Sequence, residues 1–274
     1  MLSGAGISTE SGIPDYRGPT GTGKVRKPIR YQQFASNAQA QRRYWARSVV
    51  GWRTVEEAKP NRGHRAVARL EAAGYVGGVI TQNVDGLHQA AGSTRVLELH
   101  GRLAVARCLE CRLEEPRREL QSRLLAANPH FGPSSSDFAP DGDADLPQEL
   151  LDTFEVVACL RCQGMLKPDV VMFGENVPAR RVERAWSMLE RASALVAVGT
   201  SLAVYSGFRF VARAVSLGKP VAVVNMGPTR ADDLASMRLS GKLGVVLPQL
   251  AHLLEARPGS SKAGQAAKKA AKSY

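Results

Sequence analysis

Four cysteines stand in two pairs, Cys108-x2-Cys111 and Cys159-x2-Cys162, with 47 residues between the pairs. Two chelating pairs supply four thiolates for one tetrahedral zinc ion and leave no open position for water. Such an ion would hold structure together and take no part in bond breaking. A redox-active pair or an iron centre could use the same spacing, and no fifth cysteine is left over.

A second group of residues suits a nucleotide. Gly4-Ala5-Gly6-Ile7-Ser8-Thr9 is half of a dinucleotide fingerprint, in which two glycines let the backbone turn tightly and approach a pyrophosphate. Thr9 holds the place of the third glycine, and no clear second strand ending in an acidic residue follows, which disfavours ordinary hydride transfer. Ser8 and Thr9 could equally cap a helix. Asp15-Tyr16-Arg17 follows a turn-forming Gly12-Ile13-Pro14 and could cover a ligand by stacking and hydrogen bonding, or form an ion pair on a surface loop. Gln82, Asn83 and Asp85 end a short apolar run at 78–81. Amides and a carboxylate there offer directed donors and acceptors for ribose hydroxyls or an amide, with helix capping as the alternative. His100 ends the run 96–99, and its near-neutral reference pKa makes it a candidate base. The stretch 167–175 could receive a peptide by backbone pairing, or simply link two parts of the chain.

To act together, these residues need a frame that delivers distant segments to one edge. Helical spacing is expected over 36–52 and over 61–73, the latter capped by Asn61 with Val67, Leu70 and Ala73 as its stripe. A third helix is expected over 178–192, with Val182, Ala185, Trp186 and Leu189 inward, and a fourth over 208–217. Apolar runs at 78–81, 96–99, 195–198, 220–224 and 244–247 read as strands. This alternation predicts an α/β fold, a Rossmann-like open parallel sheet with helices on both faces. Gly199-Thr200-Ser201 and Asn225-Met226-Gly227 then fall just beyond strands, where ligand loops of an open sheet gather. The middle, 102–178, has another texture, with its cysteine pairs bracketing a Pro, Ser and Asp-rich stretch, and reads as a small inserted zinc-ribbon module. The acidic residues between 140 and 155 read as a solvated face.

With 274 residues, 44% apolar and 23% charged, the chain has the composition of an ordinary globular protein and is excluded from the disordered and collagenous classes. It has no apolar run long enough to span a membrane and no leader pattern, so a cytoplasmic place and no membrane partner are expected. Net charge is +12. Arg257, Lys262, Lys268, Lys269 and Lys272 contribute five of those charges, leaving +7 on residues 1–256. Charge of this sign attracts a phosphorylated cofactor, an acidic partner or nucleic acid, and does not choose among them.

Taken in order, the 4–17 run, Thr81-Gln82-Asn83-Val84-Asp85-Gly86-Leu87-His88, Leu99-His100-Gly101, both cysteine pairs, the 169–175 run, Gly199-Thr200-Ser201 and Asn225 resemble the sirtuin pattern over almost the whole chain to about 248. Tyr16, the run 43–47 and the run 225–230 are most similar to the class II branch. The resemblance implies NAD-dependent removal of acyl groups from protein lysine side chains, with nicotinamide, free lysine and O-acyl-ADP-ribose as products. It implies one structural zinc on Cys108, Cys111, Cys159 and Cys162. It places His100 as general base, with Asn83 and Asp85 beside it. Cofactor contacts implied are Gly4, Ala5, Gly6, Ser8, Thr9, Asp15, Tyr16, Arg17, Gln82, Asn83 and Asp85 on the ribose and nicotinamide side, and Gly199, Thr200, Ser201, Asn225, Met226, Gly227 and Leu243 at the adenosine end. Val171, Phe173, Gly174 and Glu175 would flank the substrate peptide. Tyr44 and Arg47 have a Tyr-x-x-Arg spacing resembling that of sirtuins selective for acidic acyl groups, or else they pack within their helix.

The implied division is a NAD-binding Rossmann-like domain of 1–101 with 179–256, a zinc module and substrate-strand connection at 102–178, and a disordered basic tail at 257–274. Acylated lysines are the expected partners, nucleic acid is not, and a monomer is expected. ADP-ribosyl transfer from the same NAD site is the main alternative, and a zinc-containing nucleic-acid or scaffold module the other. Sirtuins carry a full strand before the glycine turn, whereas three residues precede it here. The first strand is therefore expected to be missing, through a misassigned or shortened start, with poor stability as the consequence.

Overall fold

The computed structural model describes residues 1–16, 28–131 and 146–256. Arg17, the acidic residues of 140–145 and the basic tail lie outside the described residues. Along the chain, β1 (Leu2–Ser3) is followed by α1 (Tyr31–Ser36), α2 (Ala38–Glu57), α3 (Arg62–Ala72), β2 (Val79–Thr81), α4 (Leu87–Ala90) and β3 (Val96–Glu98). Next come β4 (Gly101–Cys108), β5 (Glu114–Pro116), α5 (Arg117–Ala127), α6 (Gln148–Asp152) and β6 (Leu166–Val170). The chain closes with α7 (Ala179–Arg191), β7 (Leu195–Val198), α8 (Tyr205–Ser216), β8 (Val221–Val224), β9 (Met237–Leu239) and α9 (Leu243–Glu255).

Six strands form one sheet in the order β3-β2-β1-β7-β8-β9, every neighbouring pair parallel. Side-chain alternation assigns its two faces. Leu2, Ile80, Leu97, Ala197 and Val223 point to α7 and α8, while Val79, Val198 and Val224 point to α3 and α9. A separate antiparallel sheet, β5-β4-β6, shares its core with α1, α2, α5 and α6 through Phe34, Trp45, Val49, Leu103, Leu120 and Phe154. Helix α5 is pinned to α2 by the buried Arg117, whose guanidinium stacks 5.6 Å from the Trp45 ring and 5.2 Å from the Trp52 ring and donates to the Ser48 carbonyl at 3.2 Å.

Three findings differ from the sequence expectations. The first strand is present: Leu2 and Ser3 form it, and it holds the central position, paired with Ile80 and Thr81 on one side and with Ala197 and Val198 on the other. Both residues are fully buried, and both neighbouring strands pair with them. The run 244–247 is helical, not extended, since it opens α9. Leu243, Leu247 and Ala251 recur every four residues and face α3, a period that a four-residue window cannot reveal. The sixth strand is β9 instead, an edge strand whose three residues are all exposed and so carry no burial pattern to read.

Beneath the glycine turn two histidines are shut in the core. Asn61 caps α3 through the amides of Gly63 and His64, and the His64 ring sits 5.0 Å from the His88 ring at 71°. His88 Nε2 lies 2.8 Å from the Ser3 hydroxyl. Burial, helped by His88 and then Arg65, pushes His64 down to about 3, and burial pushes His88 down to about 4. Both rings are therefore neutral in the fold, whereas the unfolded chain takes up protons below about 6.5. Their contribution is fully present above that pH and is lost as pH falls through 6.5 toward 4, at up to about 1.4 kcal/mol per pH unit for each proton. The urea midpoint should accordingly fall as pH drops from 6.5 to 4.5. It should fall less in His88→Asn, whose amide can still meet the Ser3 hydroxyl; equal pH dependence in the two proteins would contradict this account.

Candidate functional site

Strand order reverses between β1 and β7, so the loops leaving their carboxyl ends diverge and open a crevice, the place where open α/β sheets hold ligands. The two loops touch backbone to backbone. Gly6 N donates to the Gly199 carbonyl at 2.8 Å and Gly4 N to the Val198 carbonyl at 3.1 Å. A Cβ on Gly6 would lie 2.9 Å from Gly199 Cα, and one on Gly199 would lie 2.5 Å from Ile7 N at a φ of +59°. Only glycine fits either position.

The cleft has a volume of about 680 Å³. The loop after β1 contributes Gly4, Ala5, Gly6, Ser8 and Thr9, and farther on Asp15 and Tyr16. Gln82, Asn83 and Asp85 line it from the end of β2, and His100 from the end of β3. Gly199, Thr200 and Ser201 follow β7, Asn225, Met226 and Gly227 follow β8, and Leu243 opens α9 on the same wall. Opposite them lie Val171, Phe173, Gly174, Glu175 and Tyr44. The structure thus brings together sequence-distant residues from both halves of the chain. Arg47 is not in the lining, although it shares α2 with Tyr44.

Hydrogen bonds set the protonation of the central groups. Ser8 donates to Asp85 Oδ2 at 2.6 Å and accepts from Asn83 Nδ2 at 3.0 Å, while the Leu87 amide donates to Asp85 Oδ1 at 2.9 Å. The Ser8 side chain is thereby committed to the carboxylate and amide beside it. Burial raises the Asp85 pKa, and the Ser8 and Leu87 bonds oppose that rise. His100 Nδ1 lies 3.0 Å from the Gln82 carbonyl oxygen, which only accepts, so Nδ1 carries the proton and Nε2 the lone pair. Burial pushes His100 down to about 4; the Gln82 bond opposes this, and the charges of Arg181 and Arg209 add to it. The imidazole is therefore neutral and basic at Nε2 near neutral pH. Gln82 Nε2 in turn donates to Thr200 Oγ1 at 2.9 Å, tying β2 to the loop after β7.

The opposite wall is held from the smaller sheet. Lys167 Nζ lies 3.0 Å from Glu175 Oε2, which also accepts from the Met172 amide at 2.9 Å. Tyr31 N donates to the Phe173 carbonyl at 2.9 Å and Gln32 Nε2 to the Gly174 carbonyl at 2.8 Å, so α1 fixes this turn.

The four cysteine sulfurs lie within 4.8 Å of one another at one end of that sheet. Cys108 and Cys162 are 3.5 Å apart and Cys111 and Cys159 are 3.7 Å apart, far beyond a disulfide bond of about 2.05 Å. Tetrahedral zinc with bonds of about 2.3 Å puts its sulfurs about 3.8 Å apart, so these four residues fit the ion. Backbone amides of Cys162 and Arg161 hold the Cys159 thiol down to about 7, while burial pushes the Cys108 thiol up, so it is the spacing of the four sulfurs that carries the metal assignment.

Sequence reading missed several lining residues. Ser206, in the first turn of α8, stands 2.8 Å from His100 Nε2, and only the fold places it there. Glu10 accepts from the Gly244 amide at 2.9 Å at the start of α9, where the sequence predicts a strand over 244–247. Ile13, Ile29, Val84 and Met172 supply apolar wall and carry no polar signature.

Comparison with known proteins agrees with this geometry. The model of the Sir2 family matches residues 4–206. A Streptomyces coelicolor protein named NAD-dependent protein deacetylase 1 is 54% identical over 261 residues, covering 95% of this chain and 87% of that protein. A solved Sir2 complex with p53 peptide and NAD+ is 30% identical, covers 93% of this chain and 92% of its own, and superposes with a TM-score of 0.70. A Sir2 variant holding a deacetylated p53 peptide and 3'-O-acetyl-ADP-ribose is also 30% identical, covers 94% and 92%, and has a TM-score of 0.72.

Metal content tests the cysteine cluster. The purified chain should carry one zinc, and Cys159→Ser should lose it together with the cooperative unfolding of the smaller sheet. A metal-free protein with the native unfolding transition would exclude a structural role for the ion.

Proposed function

The chain belongs to the Sir2 family, and from that premise we propose how the residues of its cleft share the work of lysine deacetylation. The protein is an NAD-dependent protein deacetylase that yields acetyl-ADP-ribose. NAD supplies the electrophilic ribose carbon and the nicotinamide leaving group, so the acetyl group ends on ADP-ribose.

The observation that carries the assignment is a neutral imidazole facing the same cleft as the glycine turn. His100, held with Nδ1–H on the Gln82 carbonyl, is the general base, and Nε2 is the atom that takes a ribose hydroxyl proton. Asn83 and Asp85, braced through Ser8, orient the nicotinamide side. Gly4, Ala5, Gly6 and Thr9 form the floor for the pyrophosphate, with Asp15 and Tyr16 covering it. Gly199, Thr200, Ser201, Asn225, Met226, Gly227 and Leu243 hold the adenosine end. Asn225 Nδ2 donates to the Gly227 carbonyl at 2.8 Å and so shapes that turn. Val171, Phe173, Gly174 and Glu175 receive the acetylated peptide beside Tyr44. Among acyl groups acetyl is the one proposed, because a preference for acidic acyl chains needs Arg47, which stands outside the lining. Placement in the class II branch rests on Tyr16 and on the runs 43–47 and 225–230. A monomer in the cytoplasm is the proposed state, four cysteines grouped for a metal and not for disulfides fitting a reducing compartment.

Nicotinamide release is the direct test. It should depend on an acetyl-lysine peptide and exceed release with succinyl- or glutaryl-lysine peptides. His100→Ala should cut turnover by about 10²-fold or more while zinc stays bound. Equal rates across the acyl series would remove the acetyl preference. Transfer of label from NAD onto the protein in place of the released acetyl product would favour ADP-ribosyl transfer.

A further inference from the structure

His100 has two ring nitrogens and only one is accounted for by the Gln82 carbonyl. The other, Nε2, stands 2.8 Å from Ser206 Oγ. With the proton fixed on Nδ1, Nε2 can only accept, so the Ser206 hydroxyl must be the donor. We propose that Ser206 is the positioning residue of the base, its hydroxyl holding the His100 ring at the cleft by donating to the Nε2 lone pair until substrate arrives. This inference rests on the reading of His100 as the base.

Three features of α8 make the arrangement a built one. Ser206 is the second residue of the helix, so its backbone position is set by the first turn. Arg209 Nε donates back to the Ser206 carbonyl at 3.1 Å and steadies that turn. Gly207 lies against the side chain of Gln82, where any Cβ would overlap Gln82 Oε1. The Ser206-Gly207 pair therefore bears on both partners of the imidazole, the serine on His100 itself and the glycine on the residue whose carbonyl holds Nδ1. Serine suits the task. Its hydroxyl turns about a single torsion, so it can release Nε2 to an incoming hydroxyl without moving the helix. In its absence the ring would keep one hydrogen bond and lose the constraint against rotation.

The test compares Ser206→Ala, Ser206→Thr and His100→Ala. In the NAD-free protein, ¹⁵N-histidine spectra resolve five histidines, with His100 assigned by its loss in His100→Ala. The unaltered protein should show His100 as a single tautomer protonated at Nδ1; Ser206→Ala should keep that tautomer, which the Gln82 carbonyl fixes, and shift the Nε2 resonance to that of an acceptor that has lost its donor. With NAD and an acetyl-lysine peptide, Ser206→Ala should lower kcat about tenfold, the net worth of one hydrogen bond. KM for the peptide should stay within about twofold and Ser206→Thr should restore most of the rate. A native Nε2 resonance and native kcat in Ser206→Ala, or no rescue by threonine, overturns the inference. If His100→Ala is inactive at the same time, the base assignment survives; an active His100→Ala overturns both.

Discussion

The cleft exists because two backbones meet without side chains between them. At Gly6 and Gly199 the loops after β1 and β7 approach until amide and carbonyl bond directly, and a single added methyl group on either side would force them apart. In the sequence these glycines suggest close approach to a phosphate. In the structure their first duty is to each other, and the nucleotide surface follows from that contact.

One physical cause tunes the site in two directions. Burial disfavours charge, so it pushes the imidazole of His100 down and the carboxyl of Asp85 up. The protein then opposes this where it needs to, with Ser8 and the Leu87 amide on Asp85 and the Gln82 carbonyl on His100. The outcome is a base neutral before substrate arrives and an Asp85 side chain held in place by the Ser8 hydroxyl and the Leu87 amide.

The smaller sheet matters to chemistry although it contributes no reacting group. His100 is the residue at which the chain leaves the parallel sheet, and Gly101 makes the turn at a φ of +85°, where a side chain would overlap the Asp169 carbonyl. From there β4 runs beside β6, and the Val171 amide bonds back to the His100 carbonyl at 2.8 Å. The base and the peptide-facing strand thus share a junction. The cysteine cluster lies at the far end of the same two strands, with Cys108 closing β4 and Leu166 opening β6 opposite it. A metal bound by Cys108, Cys111, Cys159 and Cys162 would tie together the far ends of the two strands that meet at His100 and Val171.

Much was readable from residue types alone. The cysteine pairs announced a four-thiolate site because chelate spacing is local, and the alternation of helical and extended runs announced a parallel sheet because side-chain period is local too. The ordered motifs singled out nearly every polar residue of the cleft. Tertiary structure decided what local patterns cannot encode. It made Leu2 and Ser3 a central strand, since a strand that short is defined by its neighbours and not by its own length. It turned 244–247 into helix, since the deciding partners Leu247 and Ala251 had to find α3. It took α1 and α2 from the nucleotide half into the core of the smaller sheet, since that is where their aromatic faces are covered. It set Ser206 against His100 across 106 positions of sequence, a contact that no spacing rule foretells because only the folded chain brings α8 to the end of β3.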